Sequence, residues 1–98
     1  MVKKVKWQQK ALLEITQIAG YLENEYSLQT AHKFVDIVYH RIEFLIIHPE
    51  IGRKSAKFKT VQFIRIDKYR QLFYRVNSSI LYIVDIWDTR QNPKNRPY

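Results

Sequence analysis

The side chains that could do chemistry on an anion crowd into one half of the chain. Residues 51–98 hold eleven Lys and Arg against three acids, Asp67, Asp85 and Asp88. Residues 1–50 balance six cations with six acids, so the whole net charge of +8 lies in the second half. Such an asymmetry points to a polyanionic partner, nucleic acid or an acidic protein, ahead of a small neutral substrate. Lys54, Lys57, Lys59, Arg75, Lys94 and Arg96 are candidates for holding a nucleic-acid strand. Lys57 and Lys59, two apart just before an apolar run, are expected to face the same way and supply further charge.

Other chemistries lack their residues. The absence of Cys removes disulfides, thiolate metal sites and a thiol nucleophile, and suits a reducing cytoplasm. His32, His40 and His48 are spaced by eight, which turns a helix about 80° per step, so they fan out instead of converging on a metal. No Gly-rich phosphate loop or Ser-His-Asp order occurs, no metal site or cofactor is expected, and no apolar run is long enough to span a membrane. The expectation is a cytoplasmic protein.

The elements that must position these residues are readable from periodicity. With 46% apolar and 14% aromatic residues over 98 positions, one globular domain covering 1–98 is expected. A short strand, "VKKVKW", opens the chain. Leu12, Ile15, Ala19, Leu22 and Tyr26 then step by three and four along a helix from Gln9 to about Tyr26. Ser27 is placed to N-cap a second helix, carried by Ala31, Val35, Val38, Ile42 and Leu45 and ending near His48, before Pro49. So short a link makes the two helices an antiparallel hairpin.

After "HPEIGRKSAKFK" the period drops to two. "TVQFIRID", "RQLFYRVN" and "SILYIVDIWD" read as strands, with "VNSS" as the turn between the last two. Leu72, Tyr74 and Val76 are expected toward the helices, and Gln71, an exposed Phe73 and Arg75 on the other face. The nearly continuous apolar run of the last strand suits a central strand covered on both sides. The fold class is α+β, in the order β-α-α-β-β-β, with the hairpin on one face of a mostly antiparallel four-stranded sheet. Arg65 and Arg75 then have two readings on that sheet: free contacts for an anion, or surface pairs with Asp67 and Asp85.

The helical hairpin, the "HPEIGR" loop, the "KYRQLFYRV" strand and the closing "DTRQNP" together resemble the RelE/ParE superfamily of bacterial toxins from type II toxin–antitoxin modules. The resemblance runs over nearly the whole chain. RelE-like members cut mRNA in the ribosomal A site, ParE-like members poison DNA gyrase, and some relatives have lost both activities. Metal-free RNA cleavage needs a group to take the 2′-OH proton, positive charge on the phosphate and a donor for the leaving oxygen. The resemblance implies Arg90, Arg65 and Tyr98 as catalytic residues: Arg90 matches the tail arginine, Arg65 lies near a basic strand position, and Tyr98 falls near a terminal tyrosine. One position departs from the pattern. The strand arginine that RelE-like nucleases place on the phosphate falls at Gln71, and its neighbour Arg70 points to the opposite face. Arg75, on the same face as Gln71, is the substitute.

The leading expectation is therefore the toxin of such a module, acting as a ribosome-dependent mRNA endonuclease. The alternatives are a ParE-like gyrase inhibitor with no catalytic residues of its own, or a degenerate member that only binds its antitoxin. The implied partners are an antitoxin with an acidic or amphipathic segment, and ribosome and mRNA or, alternatively, DNA gyrase. Arg65, Arg75 and Arg90 are expected on one patch beside the exit of the final strand. The tail is expected to reach it as a contact element restrained by Pro93 and Pro97.

Overall fold

A computed structural model describes residues 2–90, 94 and 96–98. The order is β1 (Lys4–Trp7), α1 (Gln9–Glu25), α2 (Leu28–Ile47), a 3-10 turn (Pro49–Ile51), β2 (Arg53–Lys54), β3 (Gln62–Arg65), β4 (Arg70–Asn77) and β5 (Ile80–Asp88). The class is α+β, as expected, but the sheet has five strands, in the order β1-β5-β4-β3-β2. The extra strand is β2, two polar residues inside the expected loop. It pairs antiparallel with β3, Arg53 opposite Phe63 and Lys54 opposite Gln62. β1 runs parallel to β5, so the middle of the sheet is β4, with β5 interior beside it.

The helices form where their apolar stripes and caps dictate. Ser27 accepts the Thr30 backbone N–H at 3.0 Å through its side chain, and α2 gives way at His48 to the turn that begins with Pro49. Ala31, Phe34, Val38, Ile42 and Leu45 are buried on its inner face. In α1 the inner face is led by Ala11 and closed by Leu22, with Ile15, Ile18 and Ala19 packed between. Leu12 and Tyr26, expected on that face, are exposed, because the stripe runs 11, 15, 18, 22. Both helices lie over one face of the sheet, and Leu72, Tyr74, Leu81, Ile83 and Ile86 meet them in the main core.

β5 departs from simple alternation. Its register to β4 slips between Phe73 opposite Asp85 and Tyr74 opposite Ile83, leaving Val84 without a partner. This β-bulge shifts the strand's parity, so Leu81 and Ile83 before it and Ile86 after it all enter the same core. It also turns Val84 to the helix-free face, where Val61, Phe73 and Val84 form a second cluster with Phe63, Trp87 and Tyr98. Phe73 is therefore fully buried, not exposed as the strand pattern implied. Val76, expected under the helices, is exposed near the end of β4. The β4–β5 turn falls on Ser78 and Ser79, at φ of 52° and 65°, the left-handed pair that a two-residue hairpin turn demands.

Candidate functional site

The helix-free face is where the sheet gathers cations and aromatic rings. Opposed residues in a sheet point the same way, so the register sorts them without ambiguity. Arg53 faces Phe63, Phe63 faces Phe73, Arg65 faces Gln71, and Gln71 faces Trp87. Arg75 faces Tyr82, which in turn faces Lys6 of β1, and the Arg75 guanidinium lies 4.1 Å from the Tyr82 ring centre. Arg53, Arg65 and Gln71 line one cleft with Ile51, Phe63 and Ile64. Arg53 was not singled out from sequence, because the two-residue strand that aims it has no periodic signature. Lys54, opposite Gln62 and through it Tyr74, belongs to the other face.

Tail residues 96–98 fold onto this face. The Tyr98 ring stacks on Phe73 at 4.6 Å, and Ser55 Oγ donates to the Tyr98 carbonyl at 2.9 Å. Arg96 donates to Gln71 Oε1 at 3.2 Å, and its guanidinium lies 5.3 Å from the Phe63 ring centre. Lys57 Nζ donates to the Arg96 carbonyl. Lys59 shares the Lys57 loop but makes no such contact, because these residues precede β3 in irregular structure where strand alternation does not apply. Lys94 is exposed. Pro97 is described, whereas Pro93 lies outside the described residues.

Beneath Tyr98 sits a polar cluster that sequence reasoning did not assemble. Asp85, opposite Phe73 at the bulge, is 1% exposed and pairs with Lys10 at 3.1 Å. Its other oxygen accepts the Ile86 N–H at 2.8 Å. Lys10 reaches it from the first turn of α1 and lies 5.4 Å from the Tyr98 ring centre. Burial raises the Tyr98 phenol above its ordinary value, Asp85 raises it further, and Lys10 opposes both. For Lys10 burial acts downward, but the hydrogen bond and charge of Asp85 prevail and hold it above its ordinary value. Burial and the nearby Asp85 likewise raise Glu14. The one signal in the sequence was a lone acid inside "ILYIVDIW".

Arg90 is elsewhere. It pairs with Asp88 at 2.6 Å, lies 4.4 Å from the Tyr69 ring centre, and lines a cleft with Glu14, Tyr21 and Arg70 on the helix side of the sheet end. The hydrogen bond from Arg90 is the main cause that holds the Asp88 carboxyl below its ordinary value. The single patch expected of three arginines beside the exit of β5 does not form: Arg65, opposite Gln71 and through it Trp87, lies near that exit, Arg75, opposite Tyr82, lies on the same face toward the start of β5, and Arg90 is on the helix side. Two residues past Asp88 the guanidinium is captured by that carboxylate before it can turn to the other face.

Of the two readings of Arg65 and Arg75, the surface pairs with Asp67 and Asp85 do not form. Asp67 pairs with Arg70, Asp85 with Lys10 and Asp88 with Arg90. The three acids of the basic half are thus occupied by other cations, and among the described residues Arg65 and Arg75 have no carboxylate partner. No three His, Cys, Asp or Glu side chains come together as a metal site among the described residues. None of the described helices is long and apolar enough to cross a membrane.

Tyr98 gives a direct check of the tail's place. Tyr98→Ala is expected to cost about 2 kcal/mol through the lost ring stack and burial. Tyr98→Phe, which keeps the ring, should cost less than about 1 kcal/mol. Urea midpoints of the two variants measure this, and equal midpoints would mean the ring is not seated.

A hairpin of two helices over one face of a sheet is a fold this chain shares with toxins of known structure. The chain is similar in fold to a chain of the chromosomal ParDE TA system from P. aeruginosa, with a TM-score of 0.76 and 19% identity over 89% of this chain and 96% of that one. It is similar also to the YoeB/ParE toxin from Agrobacterium tumefaciens, with a TM-score of 0.66 and 15% identity over 88% and 98% of the two chains. A third likeness is to YafQ from E. coli strain BL21(DE3), with a TM-score of 0.59 and 10% identity over 92% and 96%. No curated protein sequence matches the chain. Residues 5–93 match the family described as ParE toxin of type II toxin-antitoxin system, parDE, and the chain belongs to that family, within the RelE/ParE superfamily. It is a toxin of a type II toxin–antitoxin system.

Proposed function

We propose that this toxin acts by holding its target without cutting it, as an inhibitor of DNA gyrase. The supporting observation is that the parts needed for RNA cleavage are separated or occupied. Taking the proton of a 2′-OH requires a free base near neutral pH. Among the described side chains of the helix-free face, the Asp85 carboxylate is held by Lys10, and the Tyr98 phenol is shifted upward, away from ionisation. Gln71 carries no charge where the nucleases have arginine, and its oxygen is taken by Arg96. Arg90 is tied to Asp88 on the other side. The antitoxin that neutralises the toxin is expected to bring an acidic or amphipathic segment, which complements this basic surface.

A second reading, the ribosome-dependent mRNA endonuclease, is favoured by the shared face of Arg65, Arg75, Arg96 and Tyr98. Induction of the toxin without antitoxin separates the two. The gyrase reading expects DNA breaks, an SOS response, intact mRNA, and loss of supercoiling by purified gyrase. Cleaved mRNA on translating ribosomes, with DNA and supercoiling unaffected, would overturn it in favour of the endonuclease.

A further inference from the structure

The two helices of the hairpin present different faces to solvent. Along α2 the outward positions Gln29, Lys33, Asp36, His40, Glu43 and Ile47 are all exposed and carry charge of both signs, as a solvated helix face does. Along α1 the outward line runs Leu13, Thr16, Gln17, Gly20 and Asn24, with no charge among them. The inner stripe at 11, 15, 18 and 22 fixes that line on the opposite side of the helix, away from the sheet. Leu13 is 55% exposed there. The Thr16 hydroxyl is turned back to the Leu12 carbonyl at 2.7 Å, so it asks for no partner from outside.

Gly20 has no use within the described residues. It sits inside a helix, where glycine is less favourable than every residue but proline, its φ is not positive, and an added Cβ would meet no atom within 4 Å. The remaining physical use of a glycine is the close approach of another backbone. Leu13 and Gly20 stand two helical turns apart on one line, so an exposed knob and an open hole lie at equal distances from the Thr16–Gln17 midpoint. Such a pair is self-complementary. When a second α1 is laid antiparallel across that midpoint, each Leu13 meets the Gly20 of the other helix, and the missing Cβ lets the axes close to the low end of about 8–10 Å. An isologous contact has this form, one patch used twice about a two-fold axis. Charge selects the same occupant. The chain carries +8, so two copies meet most readily where neither brings charge, and an acidic partner would find no cation on this line.

We infer that the outward face of α1 is a contact between two copies of this toxin, packed antiparallel with Leu13 of each on Gly20 of the other. This goes beyond gyrase inhibition and does not depend on it. One helix face is smaller than the roughly 1,600 Å² of a standard interface, so the association is weak, in the micromolar range. Both helices lie over one face of the sheet, so the pair leaves both basic faces exposed and directed apart. The dimer is then bivalent toward any target of that face.

Sedimentation velocity of the full chain without antitoxin, from about 1 to 200 μM, should show a concentration-dependent shift from one chain to two. Gly20→Gln fills the hole with a better helix former that meets nothing in its own chain. It should weaken association roughly 10- to 100-fold, the effect of overpacking a close contact. Its melting temperature at about 1 μM should equal the parent's or exceed it, which separates lost association from lost folding. Leu13→Glu should weaken association as much, whereas Ile47→Glu, at a site 67% exposed on α2, should not. The chain has no Cys, so Gln17→Cys beside the two-fold axis should give a disulfide-linked pair on mild oxidation, and Gln29→Cys should not. The inference is overturned if the toxin stays monomeric at the highest concentration, if Gly20→Gln associates as tightly as the parent, if Ile47→Glu disrupts the pair equally, or if Gln29→Cys cross-links as readily as Gln17→Cys. A monomeric toxin whose Gly20→Gln variant loses antitoxin binding would also overturn it, assigning the face to the antitoxin.

Discussion

Gly52→Ala is expected to lower stability by about 3 kcal/mol, the sum of overpacking and a displaced buried hydrogen bond. At φ −69° and ψ 152° the Gly52 backbone is open to any residue, so the cost is one of space. An added Cβ would stand 2.3 Å from the Tyr74 hydroxyl oxygen and 2.7 Å from its Cε1. The ring cannot yield cheaply. Tyr74 is fully buried in the main core, donates to the Pro49 carbonyl at 2.7 Å and accepts the Gly52 N–H at 2.9 Å. Moving it away breaks both bonds; moving the loop pulls β2, and with it Arg53, from the sheet edge. For a domain of this size the melting temperature should fall by roughly 10–20 °C. Tyr74→Phe removes the clashing oxygen, so adding it to Gly52→Ala should cost less than the two single effects together. A melting temperature for Gly52→Ala within about 2 °C of the parent would show that the loop is not seated on Tyr74.

Lys10→Met should cost roughly 3 kcal/mol at neutral pH, the low end for breaking a buried ion pair. It strands Asp85, which is 1% exposed, whereas the Lys10 side chain is 55% exposed and its own charge is partly screened by water. Adding Asp85→Asn should recover part of the loss, because a neutral amide is far cheaper to bury unpaired than a carboxylate. Urea unfolding of the single and double variants measures the difference, and a double variant no better than Lys10→Met would remove the stranded charge as the cause. The pH dependence follows from the direction of the shifts. Lys10 is held above its ordinary value of 10.5, and the Tyr98 phenol above 10.0. In both cases the folded state keeps its proton longer than the unfolded chain. Their contribution is fully present below about pH 10 and is lost as pH rises through the folded values. Stability of the parent should therefore fall more steeply in alkali than that of Lys10→Met, as urea midpoints taken on either side of pH 10 would show.

Both predictions turn on contacts made by the least regular parts of the chain. The α2 stripe, the Ser27 cap, the stop before Pro49 and the strands β3, β4 and β5 after it were legible, because each is written in local periodicity or capping chemistry. The "HPEIGR" glycine was visible as a motif, but its purpose was not: the partner that needs the space, Tyr74, lies 22 positions away. β2 was missed because two polar residues show no alternation, and they become a strand only when β3 offers them an edge. The expected exposure of Phe73 failed for a related reason, since no sequence pattern announces that a tail will return to cover a ring.

Composition and period were enough to establish an α+β domain with its excess charge in one half, since net charge and amphipathic spacing are properties of the chain itself. Which cations share a surface was decided by tertiary structure. Parallel pairing carried Lys4 and Lys6 to Arg75, the Asp88 carboxylate held Arg90 on the helix side, and one unpartnered residue at Val84 changed the parity of β5. Each of these depends on a neighbour supplied by another strand or by the chain's path beyond a strand's end, and a strand's own alternation carries no information about either.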